Sequence, residues 1–240
     1  MASSTDLSCD PTTDRPPRRP RRIPVSLRTF LVILAAVSTT SALWIGVPAY
    51  QQYAVIREVE RLGGSYQIEP VAPKWLRKRI GDEKVRMFDD LTAINLFGTH
   101  PTDATLLQIK RLPHLTSLGL GSCEMADARI VGIRDMRNLK NLNLDYNEIT
   151  DVDLAHLKEL TNLEALWLFR TQITDAGLVH LRGLTKLRAL NLGYTQITDA
   201  GLPELKSLRE LQLLFLHGAH VTGSGIDDLN RTLPELQIFR

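Results

Sequence analysis

The chain has 240 residues, of which 43% are hydrophobic and 23% are charged, and this composition is typical of a globular protein. Its net charge of +2 is unevenly divided, because residues 1–28 carry six Arg and three Asp whereas residues 57–240 carry 23 basic and 24 acidic side chains. The large C-terminal part therefore lacks the basic excess that a nucleic-acid partner usually requires. Only two cysteines occur, Cys9 and Cys123, so the sequence encodes no disulfide framework.

An Arg- and Pro-rich tail, residues 1–28, precedes an uncharged apolar segment. Residues 30–50, FLVILAAVSTTSALWIGVPAY, are 21 mostly apolar positions, and a hydrocarbon core of about 30 Å needs roughly 20 helical residues. The sequence therefore predicts one transmembrane helix over residues 29–50 in an inner or plasma membrane. By the positive-inside rule the N-terminus stays cytoplasmic and the rest is extracytoplasmic, periplasmic or exterior. The tail arginines expected to contact anionic lipid are Arg18, Arg19, Arg21 and Arg22.

A cleavable signal peptide is the alternative interpretation of the apolar segment. Its hydrophobic region would run from Phe30 to about Thr39, with cleavage after Ala42 and secretion of the remaining chain. The apolar run continues past that site through Trp44 and Val47, which favours an uncleaved anchor.

Residues 51–90 are expected to form a juxtamembrane helix and an N-terminal cap. The stretch AVIREVERLGG predicts a short helix that ends at Gly63 and Gly64. A second short helix is predicted to begin near Pro73. The side chains of this second helix that are expected to cover the first repeat are Trp75, Leu76 and Ile80.

From residue 91 onward the sequence repeats with a period of 24 residues. Apolar residues at the first, fourth and sixth positions of each copy indicate a strand, and later apolar residues spaced three apart indicate a helix. One copy cannot bury its apolar face alone, so neighbouring copies must stack and pair their strands in a parallel sheet. Strands stack at about 4.8 Å and helices are about 10 Å thick, so the sheet side is expected to be concave. The six copies begin at Leu91, Leu115, Leu139, Leu163, Leu187 and Leu211.

A Thr-Asp pair follows the strand in several copies, as in ITDAGL. The Thr is expected to cap the helix, and the Asp carboxylate is expected to lie near the positive end of the helix dipole. A row of carboxylates could also hold calcium, but capping accounts for each one singly, and we predict no metal and no cofactor. The row consists of Asp103, Asp127, Asp151, Asp175 and Asp199.

The motif LxxLxLxxTxITDxGLxxLxxLxx, repeated in register over residues 91–240, resembles the leucine-rich repeat in its 24-residue form. The resemblance implies an α/β solenoid or horseshoe with a parallel concave sheet and convex helices. It gives Cys123, at the ninth position, a structural role on the backbone of the turn, and LPELQIFR a role as a final covering strand. Together with PVSLRTFLVILAAV, VERLGG and PKWLRKRIGDEKV, the repeats resemble membrane-anchored proteins of planctomycete-type bacteria, which implies an extracytoplasmic interaction domain.

Residues that could carry catalysis do not converge in the repeat frame. His217 and His220 are the best metal-like pair, but no third ligand lies nearby. His156 and His180 take the same helical position in neighbouring copies and are expected to be exposed. A nucleophile elbow and a phosphate-binding glycine loop are both missing from the sequence. We therefore predict a non-catalytic protein.

The second, third, fifth, seventh and eighth positions of each copy are predicted to face away from the core, on the open face of the sheet. Copy four has Trp-x-Phe-Arg where copy five has Asn-x-Gly-Tyr, so bulky groups concentrate in the middle copies. Trp, Tyr and Arg are enriched at interface hot spots. The aromatic patch predicted to bind a protein or peptide partner consists of Tyr146, Trp167, Phe169, Arg170, Tyr194 and Phe215.

Other interpretations of these features stay open at the level of sequence. The aromatic side chains could simply pack across strands, or the N-terminal helices or tail could cover them. The repeats also resemble those of cytosolic ubiquitin-ligase substrate receptors, although no ligase-docking domain precedes Leu91. Self-association of anchored copies is a further alternative.

Overall fold

The computed structural model describes residues 50–71, 74–81, 89–125 and 130–240. The tail predicted to be cytoplasmic and all but the last residue of the predicted transmembrane segment lie outside the described residues, and so does Asp127. Within the described ranges, none of the helices combines the length and the apolar character that crossing a membrane requires.

Eight strands follow one another in chain order to form one sheet. Strand β1 is antiparallel to β2, and each later pair is parallel. Leu118 lies opposite Leu142, which lies opposite Leu166, so the register equals the 24-residue repeat and confirms the predicted stacking of copies. The strands are β1 Ser65–Glu69, β2 Asp90–Asn95, β3 Ser117–Gly119, β4 Asn141–Asn143, β5 Ala165–Trp167, β6 Ala189–Asn191, β7 Leu213–Phe215 and β8 Gln237–Phe239.

The core is a set of leucine columns, one residue from each copy. Leu142, Leu166 and Leu190 are fully buried on the inner side of the sheet. The ninth position bonds the backbone of the turn, as the resemblance implies: the Thr171 hydroxyl donates to the Leu168 carbonyl at 2.7 Å. Cys123 is also fully buried, with its Sγ 2.9 Å from the Leu96 carbonyl oxygen, in keeping with a structural role.

The N-terminal end of the core is closed by a helix, α1, which is described over residues 50–61. It ends as predicted, because Gly63 has a φ of 79° and the Gly64 N–H donates to the Val59 carbonyl at 2.9 Å. Strand β1 follows directly and has no counterpart among the predicted elements. The residues of α1 and β1 that pack on the core are Val55, Ile56, Val59, Tyr66 and Ile68.

The predicted second helix exists as α2, Lys74–Ile80. The expectation that Trp75 covers the first repeat is wrong, since its side chain is 66% exposed. The apolar stripe of α1 already occupies that position. The side chains of Leu76 and Ile80 lie outside the described part of the structure.

Short helices follow the strands on the other side of the repeats. In copy four the helix is of the 3₁₀ type, and its buried Leu178 and Leu181 are three residues apart, which matches the 3.0 residues per turn of that helix. These helices are α3 Asp103–Ile109, α4 Asp151–Leu157, η1 Asp175–Leu181, α5 Leu202–Leu205 and α6 Gly223–Thr232.

The Thr-Asp pair connects neighbouring copies as well as capping helices. Thr174 is the N-cap of η1, and its hydroxyl oxygen accepts from the Ala176 N–H at 3.3 Å. Asp151, one copy earlier, accepts from the Thr174 N–H at 2.8 Å and from the Thr174 hydroxyl at 2.6 Å. The same two bonds recur between Asp175 and Thr198 and between Asp199 and Thr222. The carboxylates therefore bridge copies, which capping alone does not predict.

The glycine of ITDAGL makes room for this bridge. A Cβ atom at Gly177 would lie 3.0 Å from the Asp151 Cγ, and closer still to its Oδ1. Copy three instead has Asp153 at this position. Its Oδ2 accepts from both the N–H and the hydroxyl of Thr150 at 2.8 Å, so the threonine is satisfied within its own copy.

Candidate functional site

The open face carries two rows of aromatic side chains that cross the strands. The first row occupies the fifth position, where the ring centroids of Trp167 and Phe215 are 5.7 Å apart and those of Phe215 and Phe239 are 4.8 Å apart. The second row occupies the seventh and eighth positions and consists of Phe97, Tyr146, Phe169 and Tyr194, with centroids 5.1 to 6.2 Å apart. Such distances are typical of favourable aromatic pairs.

Each phenylalanine at the seventh position is followed by a glycine at the same position of the next copy. A Cβ atom at Gly193 would lie 2.8 Å from the Phe169 ring, and one at Gly121 would be similarly close to the Phe97 ring. Each phenylalanine therefore leans over the glycine of the next copy. This packing explains why copy five has Gly193 where copy four has Phe169.

The eighth position has a left-handed backbone in all six copies. The first and last copies have Gly98 and Gly218 there, both with a φ of 70°. The middle copies hold side chains at this position, although a non-glycine residue in this region is strained. These residues are Ser122, Tyr146, Arg170 and Tyr194, with φ values of 54°, 57°, 53° and 52°.

Arg170 lies between two tyrosine rings. Its guanidinium carbon is 5.1 Å from the Tyr194 ring centroid and 5.7 Å from that of Tyr146, within range of a cation–π interaction. Tyr146 is 47% exposed and Tyr194 is 53% exposed, so the Tyr-Arg-Tyr row formed by these three residues faces solvent.

A polar groove of about 310 Å³ adjoins the aromatic patch on copies one to three. Trp167 lines one side, strand β1 lines the other with Tyr66 and Gln67, and asparagine, serine and glycine residues form the floor. Asn95 and Asn143 fold back on their own strands, where their Oδ1 atoms accept from backbone N–H groups two residues later at 3.1 and 2.9 Å. The groove thus offers amide groups beside an aromatic wall.

Asp145 is a half-buried carboxylate on the open face. Burial raises its pKa, and hydrogen bonds from the Phe169 N–H at 2.7 Å and the Asn143 amide at 3.1 Å oppose that rise. Both of its oxygen atoms therefore have donors from the protein, and the carboxylate holds the turn of copy four in place.

Two models for the family described as leucine-rich repeats match this part of the chain, one of two copies over residues 137–180 and one of a single copy over residues 183–206. These matches agree with the 24-residue register of the strands and with the buried leucine columns. Residues 137–180 and 183–206 match leucine-rich repeats.

Solved structures with leucine-rich repeats are similar to this chain. Internalin C2 of Listeria monocytogenes is 26% identical over 62% of this chain and 70% of its own, with a TM-score of 0.51, which supports the solenoid fold. An internalin (inlF) of the same species is 22% identical over 61% of this chain and 46% of its own, with a TM-score of 0.45. A leucine-rich-repeat protein of Leptospira interrogans is 20% identical over 66% of this chain and 51% of its own, with a TM-score of 0.40.

The chain spans about half the length of the second and third of these proteins. No curated protein matches the chain. The similarity to proteins of planctomycete-type bacteria stays a prediction.

All six residues of the predicted aromatic patch lie on the open face of the leucine-rich repeats. Trp167, Phe169 and Phe215 are half-buried by contacts across strands, whereas the Tyr-Arg-Tyr row is exposed. The predicted patch omitted Phe97 and Phe239, which extend the two aromatic rows. A further step of 24 residues from Phe215 reaches Phe239, so the period itself was the signal for that residue.

The aromatic rings do pack across strands, but α1 and α2 leave Tyr146 and Tyr194 exposed, so these helices do not cover that part of the face.

His156 and His180 are partly buried rather than fully exposed. In the part of the chain that the structure describes, no three His, Cys, Asp or Glu side chains form a group that could hold a metal ion.

Proposed function

We propose that this chain is a non-catalytic, membrane-anchored module that binds a protein or peptide through the open face of its leucine-rich repeats. Leucine-rich repeats generally serve as protein-interaction modules and are generally non-catalytic. Stacked repeats form extended surfaces suited to that role.

One observation carries the proposal: three bulky side chains in succession occupy left-handed backbone positions on an exposed face. Glycine is the residue that this conformation favours, and Gly98 and Gly218 occupy it in the outer copies. Strained residues persist where the surrounding structure fixes them, and they cluster at functional sites. Each tyrosine of the Tyr-Arg-Tyr row keeps about half of its surface exposed, and this exposed area at strained positions supports a role in contacting a partner.

The rest of the open face has the composition of a binding site. The row of Trp167, Phe215 and Phe239 supplies apolar area, and the neighbouring groove supplies amide groups of the kind that a polypeptide backbone can use. A polar floor beside aromatic anchors suits a segment of protein better than a purely apolar ligand.

The membrane part of the proposal comes from the sequence. Residues 29–50 are long and apolar enough for one span, and the arginines of residues 1–28 favour a cytoplasmic N-terminus. In this orientation the repeats lie outside the cytoplasm. The tail stays on the cytoplasmic side, where the arginines near anionic lipid are Arg18, Arg19, Arg21 and Arg22.

Site-specific photo-crosslinking in intact cells tests the binding face. A photoreactive phenylalanine replaces Tyr194 on the open face or, as the control, Val152, which is 69% exposed on α4. We expect one dominant protein adduct from position 194 and none of that mass from position 152. Equal adducts at both positions, or only an adduct to the chain's own tail, would contradict the proposal. An adduct of twice the chain mass would replace it with self-association.

The native cysteines provide a test of topology. Cys123 is fully buried, so Cys9 is the cysteine expected to react with a membrane-impermeant maleimide. In intact cells we expect no labelling of Cys9 and strong labelling of a Val152→Cys variant, with Cys9 labelled only after permeabilisation. Labelling of Cys9 in intact cells would overturn the orientation, and loss of residues 1–42 from the mature chain would indicate signal cleavage.

A further inference from the structure

Arg170, which follows strand β5, differs from the basic side chains that precede the two adjacent strands. Lys140 is paired with Glu164 at 3.0 Å, and Arg188 is paired with Glu210 at 3.4 Å. The Arg170 guanidinium contacts only aromatic rings among the described residues, and no carboxylate lies within ion-pair distance of it. It is therefore an available positive charge that the fold holds in one place.

The two tyrosines add hydrogen-bond donors to this charge. Neither the Tyr146 nor the Tyr194 hydroxyl has a hydrogen-bond partner in the described part of the chain, so both can donate. The nearest carboxylate along the sequence, Asp145, is already engaged by Phe169 and Asn143. The Tyr-Arg-Tyr row thus presents a guanidinium and two hydroxyl groups that no carboxylate of the described residues engages.

We propose that the Tyr-Arg-Tyr row binds the carboxylate of an Asp or Glu side chain in an extended segment of the partner protein. This inference rests on the proposed function and specifies the chemistry of the partner. The planar guanidinium of Arg170 matches a carboxylate with two parallel N–H···O bonds, and its contacts with the two rings fix its orientation in advance. Apolar side chains of the same segment contact the tyrosine rings.

The charge balance favours a carboxylate over a phosphate group. Sites that recognise phosphorylated or strongly acidic motifs use clusters of arginines. This row contains a single arginine, and residues 57–240 have one more acidic than basic side chain, so no broad positive field surrounds it. One localised positive charge is complementary to one carboxylate.

Peptide selection tests this inference on the full chain in detergent micelles. A displayed library of random 12-residue peptides is selected on the wild type, and selected peptides are synthesised with each acidic residue or with its amide. Binding of each pair is then measured for the wild type, for Arg170→Gln, and for Arg188→Gln as the matched control. Arg188 is an exposed arginine that directly precedes strand β6, away from the Tyr-Arg-Tyr row, and it already has a carboxylate partner.

We expect selection of peptides with an acidic residue beside aromatic or aliphatic ones. Replacing that acid by its amide should weaken binding to the wild type roughly 30-fold, a loss typical of a hot-spot residue. Arg170→Gln should show the same loss and no further sensitivity to the amide, whereas Arg188→Gln should bind like the wild type. A circular dichroism spectrum of each variant confirms that it is folded.

Two other outcomes would overturn the inference in distinguishable ways. In the first, the selected peptides show no acidic enrichment, and their binding is lost in a Tyr194→Ala variant but kept in Arg170→Gln. This result would support binding at the open face and would show that the partner's carboxylate is not recognised there. Absence of selected peptides, or binding unaffected by both variants, would overturn the carboxylate and the proposed binding face together.

Discussion

The turn that follows each strand and the open face of the sheet belong to the same copies but differ in how their sequences vary. In the turns of copies three to five the Thr-Asp pair is invariant, and each aspartate makes the same two bonds to the threonine of the next copy. On the open face the eighth position changes from Gly to Ser, Tyr, Arg, Tyr and Gly. The backbone at this eighth position is nevertheless left-handed in all six copies.

This difference separates the residues that build the array from those that use it. A contact between neighbouring copies must recur if the copies are to stack in register, so residues that make it repeat. The side chains of the Tyr-Arg-Tyr row are not needed for stacking, since Gly98 and Gly218 occupy the same backbone position. Variation within one backbone position is therefore the stronger sign of a role outside the fold.

The largest expected effect is from Gly201→Ala in the turn. Gly201 has φ and ψ values of −81° and −26°, which alanine adopts freely, but the new Cβ would lie 3.0 Å from the Asp175 Cγ and closer to its Oδ1. We expect a loss of about 3 kcal/mol in the free energy of unfolding, from overpacking and from weakened bonds to Thr198. Urea denaturation of the full chain measures it.

Gly183→Ala is the matched control for that substitution. A Cβ atom at Gly183 would come no closer than 3.9 Å, to the Lys158 carbonyl oxygen, so we expect stability to be unchanged or slightly increased. Equal losses of stability in Gly183→Ala and Gly201→Ala would mean that the requirement for glycine at position 201 comes from backbone flexibility rather than from the nearby Asp175 carboxylate.

Asp175→Ala should have the next largest effect. It leaves both the N–H and the hydroxyl of Thr198 without their acceptor, which should cost about 2 kcal/mol in the free energy of unfolding. Glu159→Ala, which removes an exposed ion pair with Arg137, should cost about 0.5 kcal/mol or less. Similar losses in the free energy of unfolding for the two variants would mean that the bridge from Asp175 to Thr198 contributes no more than an exposed ion pair.

The period of the leucines predicted the sheet, its register and the buried columns, because those features depend on one repeated spacing. It could not predict β1, which lies outside the repeats, or the exposure of Trp75, because α1 competes for the same apolar end of the core. The bridging role of the aspartates was missed for a related reason. Their partner lies 23 residues away, and capping within the same helix already accounted for them.

The sequence located the aromatic patch but not the feature that distinguishes its residues. Alternation along the strand places Trp167 and Phe169 on the open face without ambiguity. The eighth position follows the strand, so its left-handed backbone does not come from that alternation. Only Gly98 and Gly218 hint at it, and a glycine at either end of a series is a weak signal.

A pair of substitutions at Arg170 should have a smaller effect on stability than the turn variants. Both Arg170→Gly and Arg170→Ala remove the contacts with Tyr146 and Tyr194, but only glycine relieves the left-handed strain at a φ of 53°. We expect the glycine variant to be more stable than the alanine variant by about 1 kcal/mol. Equal stabilities would show that the backbone relaxes easily there, which would remove the strain argument for function.

The smallest expected effect is a change in how stability depends on pH. Hydrogen bonds from the Thr222 hydroxyl and then from its N–H lower the pKa of Asp199 below the usual value for an aspartate. A lowered pKa in the folded state contributes stability that is present above the unfolded pKa of about 3.9 and is lost as pH falls through the folded pKa. The difference in stability between the wild type and Asp199→Asn should therefore be constant near neutral pH and shrink on acidification below about pH 4. Thr222→Val, which keeps the N–H donor and loses the hydroxyl, should show part of that shrinkage. A difference that does not change with pH would mean that the bridge from Asp199 needs no negative charge.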